Sequence, residues 1–84
     1  MFRTKNSSRK EVDHMTTEIK IARLRRGLQQ KDMAQKIGLH YSILSGIECG
    51  RIVGNARQRA AILGELGGDE ADFFDVNGLA RKAE

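Results

Sequence analysis

The chain predicts an all-α domain of five short helices, and three observations predict it. Apolar residues recur at helical spacing between glycine or Asn/Asp breaks, no run alternates with the period of a strand, and proline is absent while aromatics make up only 5% of the residues. Eighty-four residues give one domain with a modest core, so help from self-association is expected and there is little room for an enzyme cleft.

Residues 1–16, MFRTKNSSRKEVDHMT, carry no sustained apolar periodicity and read as a flexible basic arm. Ser8 and Glu11 have capping-box spacing, but Val12 and Met15 give such a turn little to bury. Arg3, Lys5, Arg9 and Lys10 suit phosphate or minor-groove contacts, or an inert leader, and Met15 is an alternative start. The folded domain is expected over residues 17–78.

The first helix begins at Thr16 or Thr17, has Glu18 in its first turn, and stops at Gly27. Ile19, Ile21, Ala22 and Leu24 form its apolar side, and Arg23 among them needs a partner. The second helix, Gln30–Ile37, has Asp32 near its start, a weak N-cap in Gln29, and Gly38 as the left-handed residue after its end. The third runs from Tyr41 to Ile47. Met33, Ala34, Ile37, Leu39, Leu44 and Ile47 face inward across this pair, while Tyr41, Ser42, Ser45 and Gly46 face outward. Two short helices joined at Gly38–His40 form a helix-turn-helix pattern, whose second helix enters the DNA major groove.

A loop, Arg51–Gly54, leads to Asn55 as N-cap of a fourth helix from Ala56 to about Leu66. Its inward stripe is read as Ala56, Ala60, Leu63 and Leu66, with Arg57, Gln58 and Arg59 off it. Gly67 and Gly68 end it. Asp69 caps a short fifth helix, EADFFDV, on which one of Phe73 and Phe74 packs inward and the other is a candidate dimer contact, or both fold over the junction of the fourth and fifth helices. Residues 79–84, LARKAE, read as a frayed tail.

The charge is polarised along the chain. Residues 1–63 carry thirteen Lys/Arg against five Asp/Glu, a net +8, and residues 64–84 carry two against six, a net −4. A basic body with an acidic end suits a polyanion-binding face opposed by one that stays off the polyanion. The single cysteine, Cys49, excludes an internal disulfide, and with only His14 and His40 beside it no ordinary zinc site is expected. No metal or cofactor is implied, and a reducing cytoplasm is the natural compartment. The longest apolar run is far short of the roughly 20 residues of a membrane span. Gly64-Glu65-Leu66-Gly67-Gly68 lacks the Lys-Ser/Thr of a phosphate loop, and no residue stands beside His40 to make it a catalytic base, so no enzyme activity is expected.

The run Arg23-Leu24-Arg25-Arg26-Gly27-Leu28-Gln29-Gln30, then Met33-Ala34, Ile37-Gly38-Leu39 and Ile47-Glu48-Cys49-Gly50, resembles the phage repressor and Cro-like (XRE-type) helix-turn-helix family over about residues 17–74. The resemblance implies a five-helix lambda-repressor-like fold with the motif at helices 2 and 3. It implies that Gln30 holds a DNA phosphate, with Lys31, Arg51, Arg57 and Arg59 as further backbone contacts, and that Tyr41, Ser42 and Gly46 read bases with His40 at their cap. It also pairs Arg23 with Glu48. Recognition helices often use Gln, Arg or Asn at base-reading positions, and this chain departs from that pattern. The function implied is a sequence-specific transcriptional regulator, a repressor, binding double-stranded DNA as a homodimer on two half-sites. The alternative is an antitoxin-like module that holds a protein partner, for which Phe74, Val76 and Leu79 would be the patch.

Overall fold

The computed structural model describes residues 16–83, and the described residues form five helices: α1 (Glu18–Arg25), α2 (Gln30–Ile37), α3 (Tyr41–Glu48), α4 (Ala56–Leu66) and α5 (Glu70–Phe73). The basic arm, apart from Thr16, lies outside them. The architecture is the all-α, lambda-repressor-like arrangement, with α2 and α3 as the helix-turn-helix.

Local side-chain caps close the starts of α1 and α4. The Thr17 hydroxyl accepts from the Lys20 N–H at the head of α1. Asn55 and Gln58 close a reciprocal capping box on α4: Gln58 N–H donates to Asn55 Oδ1 at 2.8 Å, and Asn55 N–H donates to Gln58 Oε1 at 2.9 Å. Gln29 makes no side-chain cap on α2. Gly38 ends α2 at φ 73°, a left-handed conformation that a Cβ disfavours, and Leu39 N–H then donates back to Ala34 O at 3.0 Å. This turn sets the direction in which α3 leaves α2.

Ile19, Met33, Ala34, Leu44, Ile47, Ile62, Leu66, Phe74 and Ala80 form one buried cluster, with Ala22, Ile37, Leu39, Ile43 and Phe73 packed around it. Leu24, placed by the sequence on the apolar side of α1, is exposed, because Arg23 takes the inward position instead.

Two expectations are corrected. The inward stripe of α4 runs through Ile62 and Leu66, whereas Ala56 and Ala60 are exposed and Leu63 is half-buried. The cause lies in the first turn, where Gln58 belongs to the capping box and half-buried Arg59 bonds the Gly54 carbonyl and Glu70, so polar side chains occupy the start of the stripe. Of the two adjacent aromatics, Phe74 is the ring that packs inward, buried in the core, and Phe73 is half-buried against it.

The C-terminal segment is the second correction, since residues 79–83 do not fray. Ala80 pairs in antiparallel fashion with Phe74, and Lys82 pairs with Thr17. Glu18 N–H donates to Arg81 O at 2.9 Å, Arg81 N–H to Phe73 O at 2.8 Å, and Ala83 N–H to Thr16 O at 2.9 Å. The segment therefore lies between the start of α1 and the end of α5, and buried Ala80 belongs to the core.

Candidate nucleic-acid interface

At the centre of the site is a buried fork. Arg23 Nε donates to Glu48 Oε2 at 2.8 Å and Arg23 Nη2 to Glu48 Oε1 at 3.0 Å, the bidentate arrangement that orients both groups. Arg23 Nη1 donates to the Leu28 carbonyl at 2.7 Å, and Gln30 Nε2 donates to Glu48 Oε1 at 2.7 Å. The end of α3 is thus tied at once to α1, to the α1–α2 turn and to the first residue of α2. The Thr17 hydroxyl adds a bond to the Glu48 carbonyl. Among the described residues, no buried side-chain polar atom lacks a partner.

This geometry changes what Gln30 offers. Its side-chain amide is drawn to Glu48, so the outward feature at the head of α2 is the first-turn backbone N–H groups that Gln29 leaves uncapped, with exposed Lys31 beside them.

On α3, His40, Tyr41 and Ser42 are exposed. His40 Nδ1 accepts from Ser42 N–H at 3.1 Å and lies 2.8 Å from Ser42 Oγ. A ring nitrogen that accepts from a backbone N–H carries no proton, which assigns the His40 proton to Nε2 and adds a donor to the exposed face. Ser42 is held by the same contacts, so Tyr41 is the large exposed side chain of the helix without such a tie.

Gly46 is not on this face, and its base-reading assignment is corrected. It is buried, and a Cβ at this position would lie 2.3 Å from Ile52 Cδ1 and 2.7 Å from Ile52 Cγ1. Glycine lets the chain fold back against α3, and Ile52 N–H donates to Gly46 O at 3.1 Å. Arg59 is also reassigned: its guanidinium bonds the Gly54 carbonyl and, through Nε, Glu70 Oε2 at 2.8 Å, which joins α4 to the loop and to α5. Arg51 and Arg57 are exposed, and like Lys31 they have no hydrogen bond or ion pair through their side chains among the described residues. The three cations stand at the head of α2, after the end of α3 and at the head of α4.

Sequence reasoning missed Lys20. It is half-buried and lines, with Arg23, Gln30, Ser45, Glu48 and Cys49, a recess of about 270 Å³ between α1, the head of α2 and the end of α3. Its place one turn before Arg23 on the same face of α1 was the available signal. Ser45 is half-buried in this recess, whereas the sequence had it outward. Of the proposed protein-partner patch, Phe74 is buried, Leu79 is half-buried and Val76 alone is fully exposed.

No helix among the described residues is long and apolar enough to cross a membrane. Comparison with curated proteins and with solved structures gave no match. Residues 19–54 match the helix-turn-helix family, a span that takes in α1, α2, α3 and the loop beyond. The chain carries, over those residues, a helix-turn-helix of the phage repressor and Cro-like (XRE-type) family, a DNA-binding regulatory fold.

Proposed function

We propose that the protein is a sequence-specific transcriptional regulator, a repressor, that binds double-stranded DNA through α3 as a homodimer on two half-sites. One observation carries the reading: His40, Tyr41 and Ser42 are exposed on α3, and Lys31, Arg51 and Arg57, at the head of α2, just after α3 and at the head of α4, are exposed cations with no internal partner among the described residues. Cations engaged in internal pairs would be unavailable to a polyanion, and these three are available. The net +8 of residues 1–63 against −4 of residues 64–84 supports the same orientation, with the acidic end held off the DNA.

Roles divide by chemistry. Lys31, Arg51, Arg57 and the uncapped head of α2 hold phosphates and set register. Tyr41, with a ring that packs on a thymine methyl, and the His40 Nε2–H donor read base edges, and Ser42 supports His40. The protein acts in the cytoplasm, on the chromosome or on another DNA molecule that enters it.

Binding to random-sequence and selected duplexes across a salt series tests this reading. Lys31→Ala and Arg57→Ala should each weaken binding to all sequences and reduce the slope of log affinity against log salt by about one. Tyr41→Ala should leave that slope in place and change the sequence recovered from random DNA. Absence of salt-dependent binding at low ionic strength would falsify the assignment.

A further inference from the structure

One turn beyond Ser42 on α3 stands Gly46, and the chain brings another residue's side chain to that place. Gly50, just past the helix, is left-handed at φ 84°, and the Gly46 carbonyl then accepts from Arg51 N–H at 2.9 Å and from Ile52 N–H at 3.1 Å. Gly54 N–H donates to Gly78 O at 3.2 Å, so the far end of the loop is held as well. Ile52 lies between these anchors. Its Cδ1 and Cγ1 fill the space that a side chain at position 46 would take. Gly46 is buried as a result, and Ile52, 36% exposed, forms the surface over it.

A β-branched side chain, stiff at χ1 and carried on a loop pinned at both ends, loses little freedom when it is covered. It has no donor or acceptor to offer. Among the groups that base pairs present in the major groove, the apolar one is the C5-methyl of thymine. A methyl at C5 of cytosine stands in the same place, and a side chain that makes no hydrogen bond reads the methyl and not the ring that bears it. Gly46 follows Tyr41 by five residues, about 7.5 Å along a helix axis. Ile52 and Tyr41 therefore meet different base pairs.

We infer that Ile52, brought from the loop after α3 onto Gly46, is a specificity-determining residue that selects a pyrimidine with a C5-methyl group, thymine or 5-methylcytosine alike. The inference rests on the DNA-binding reading above. It adds an apolar base contact to a helix whose exposed side chains are His40, Tyr41 and Ser42. It also makes binding sensitive to cytosine methylation at one position of the half-site.

The test uses the full chain and duplexes bearing the sequence it selects from random DNA, with each pyrimidine varied in two matched pairs: thymine against uracil, and 5-methylcytosine against cytosine. Each pair differs by one methyl group, so the hydrogen-bonding edge of the base cancels. At one position of the half-site the wild-type chain should favour the methylated member of both pairs by about fourfold, the ratio that corresponds to one buried methyl. Ile52→Ala should remove the preference in both pairs. Ile52→Val, which keeps most of the packing on Gly46, should give an intermediate ratio and decides the matter where the alanine variant is unfolded. Tyr41→Ala should leave the preference at that position in place. A side chain that only packs on Gly46 would, when truncated, weaken binding to both members of a pair equally. Absence of a methyl preference in either pair for the wild-type chain, or a preference that both Ile52 variants retain in full, overturns the inference while leaving DNA binding standing. Failure to bind the selected duplex at low ionic strength overturns the DNA-binding reading, and this inference with it.

Discussion

Glu48 accepts three hydrogen bonds through its carboxylate and one through its carbonyl, from Arg23, Gln30 and Thr17, while only 2% of it reaches solvent. Arg23 is nearly as buried, at 6%. A pair in this position contributes less through its own attraction than through the loss that follows when either member is removed, because the survivor is a buried charge without a counter-ion. Glu48→Ala should therefore lower stability by about 3–5 kcal/mol, read as a shift in the urea midpoint. The double change Arg23→Met with Glu48→Leu should be less destabilising than Glu48→Ala, since no charge is then stranded. Equal or greater loss in the double variant would show that the hydrogen bonds to Leu28 and Gln30, and not the stranded charge, dominate.

At the scale of the element, α2 and α3 owe their mutual angle to one left-handed residue, and α4 carries a glycine that serves no such purpose. Gly38 has φ 73° with open space around its Cα, so Gly38→Ala should cost about 1–2 kcal/mol from backbone conformation alone. Gly64 is exposed within α4, its Cβ position is also open, and its φ is not positive, so Gly64→Ala should stabilise by about 0.5–1 kcal/mol. Opposite shifts in melting temperature for the same chemical change are the expected result. A loss at Gly64 would mean that α4 has a neighbour on that face. Gly46 resembles Gly64 in sequence, as a glycine inside a helix, and differs in having Ile52 closed over it. Periodicity counts both as surface positions, and the chain's return path separates them.

At the scale of the molecule, the C-terminal segment completes the domain. Residues 80–83 bridge the start of α1 and the end of α5, and Thr17, which pairs with Lys82, also bonds the carbonyl of Glu48. The segment is thereby linked to the end of α3. Deleting residues 80–84 should remove Ala80 from the core, uncover Phe74 and Thr17, and lower stability by about 2 kcal/mol or more, seen as a lower and broader thermal transition. An unchanged transition would mean that the segment only lies on a domain already complete at Leu79.

The sequence by itself determined the number and type of helices, the placement of Gly38 and Asn55 at their ends, and the need of Arg23 for an acidic partner. These follow from local chemistry, because caps, left-handed glycines and apolar spacing act within a few residues. It left three matters open that only the tertiary structure decided. Which face of α4 is inward depended on Arg59 reaching Gly54 and Glu70, a polar side chain in an apolar position that periodicity counts against burial. Whether residues 79–83 are tail or core depended on backbone pairing with Thr16, Glu18 and Phe73, which leaves almost no trace in composition. Which residues remain without internal partners depended on what the fold had already engaged: Gln30, Arg59 and Gly46 have internal contacts, and Lys31, Tyr41, Arg51 and Arg57 stay exposed without them. Local sequence fixes where a side chain sits along the chain, whereas its availability is set by contacts with residues far away in it.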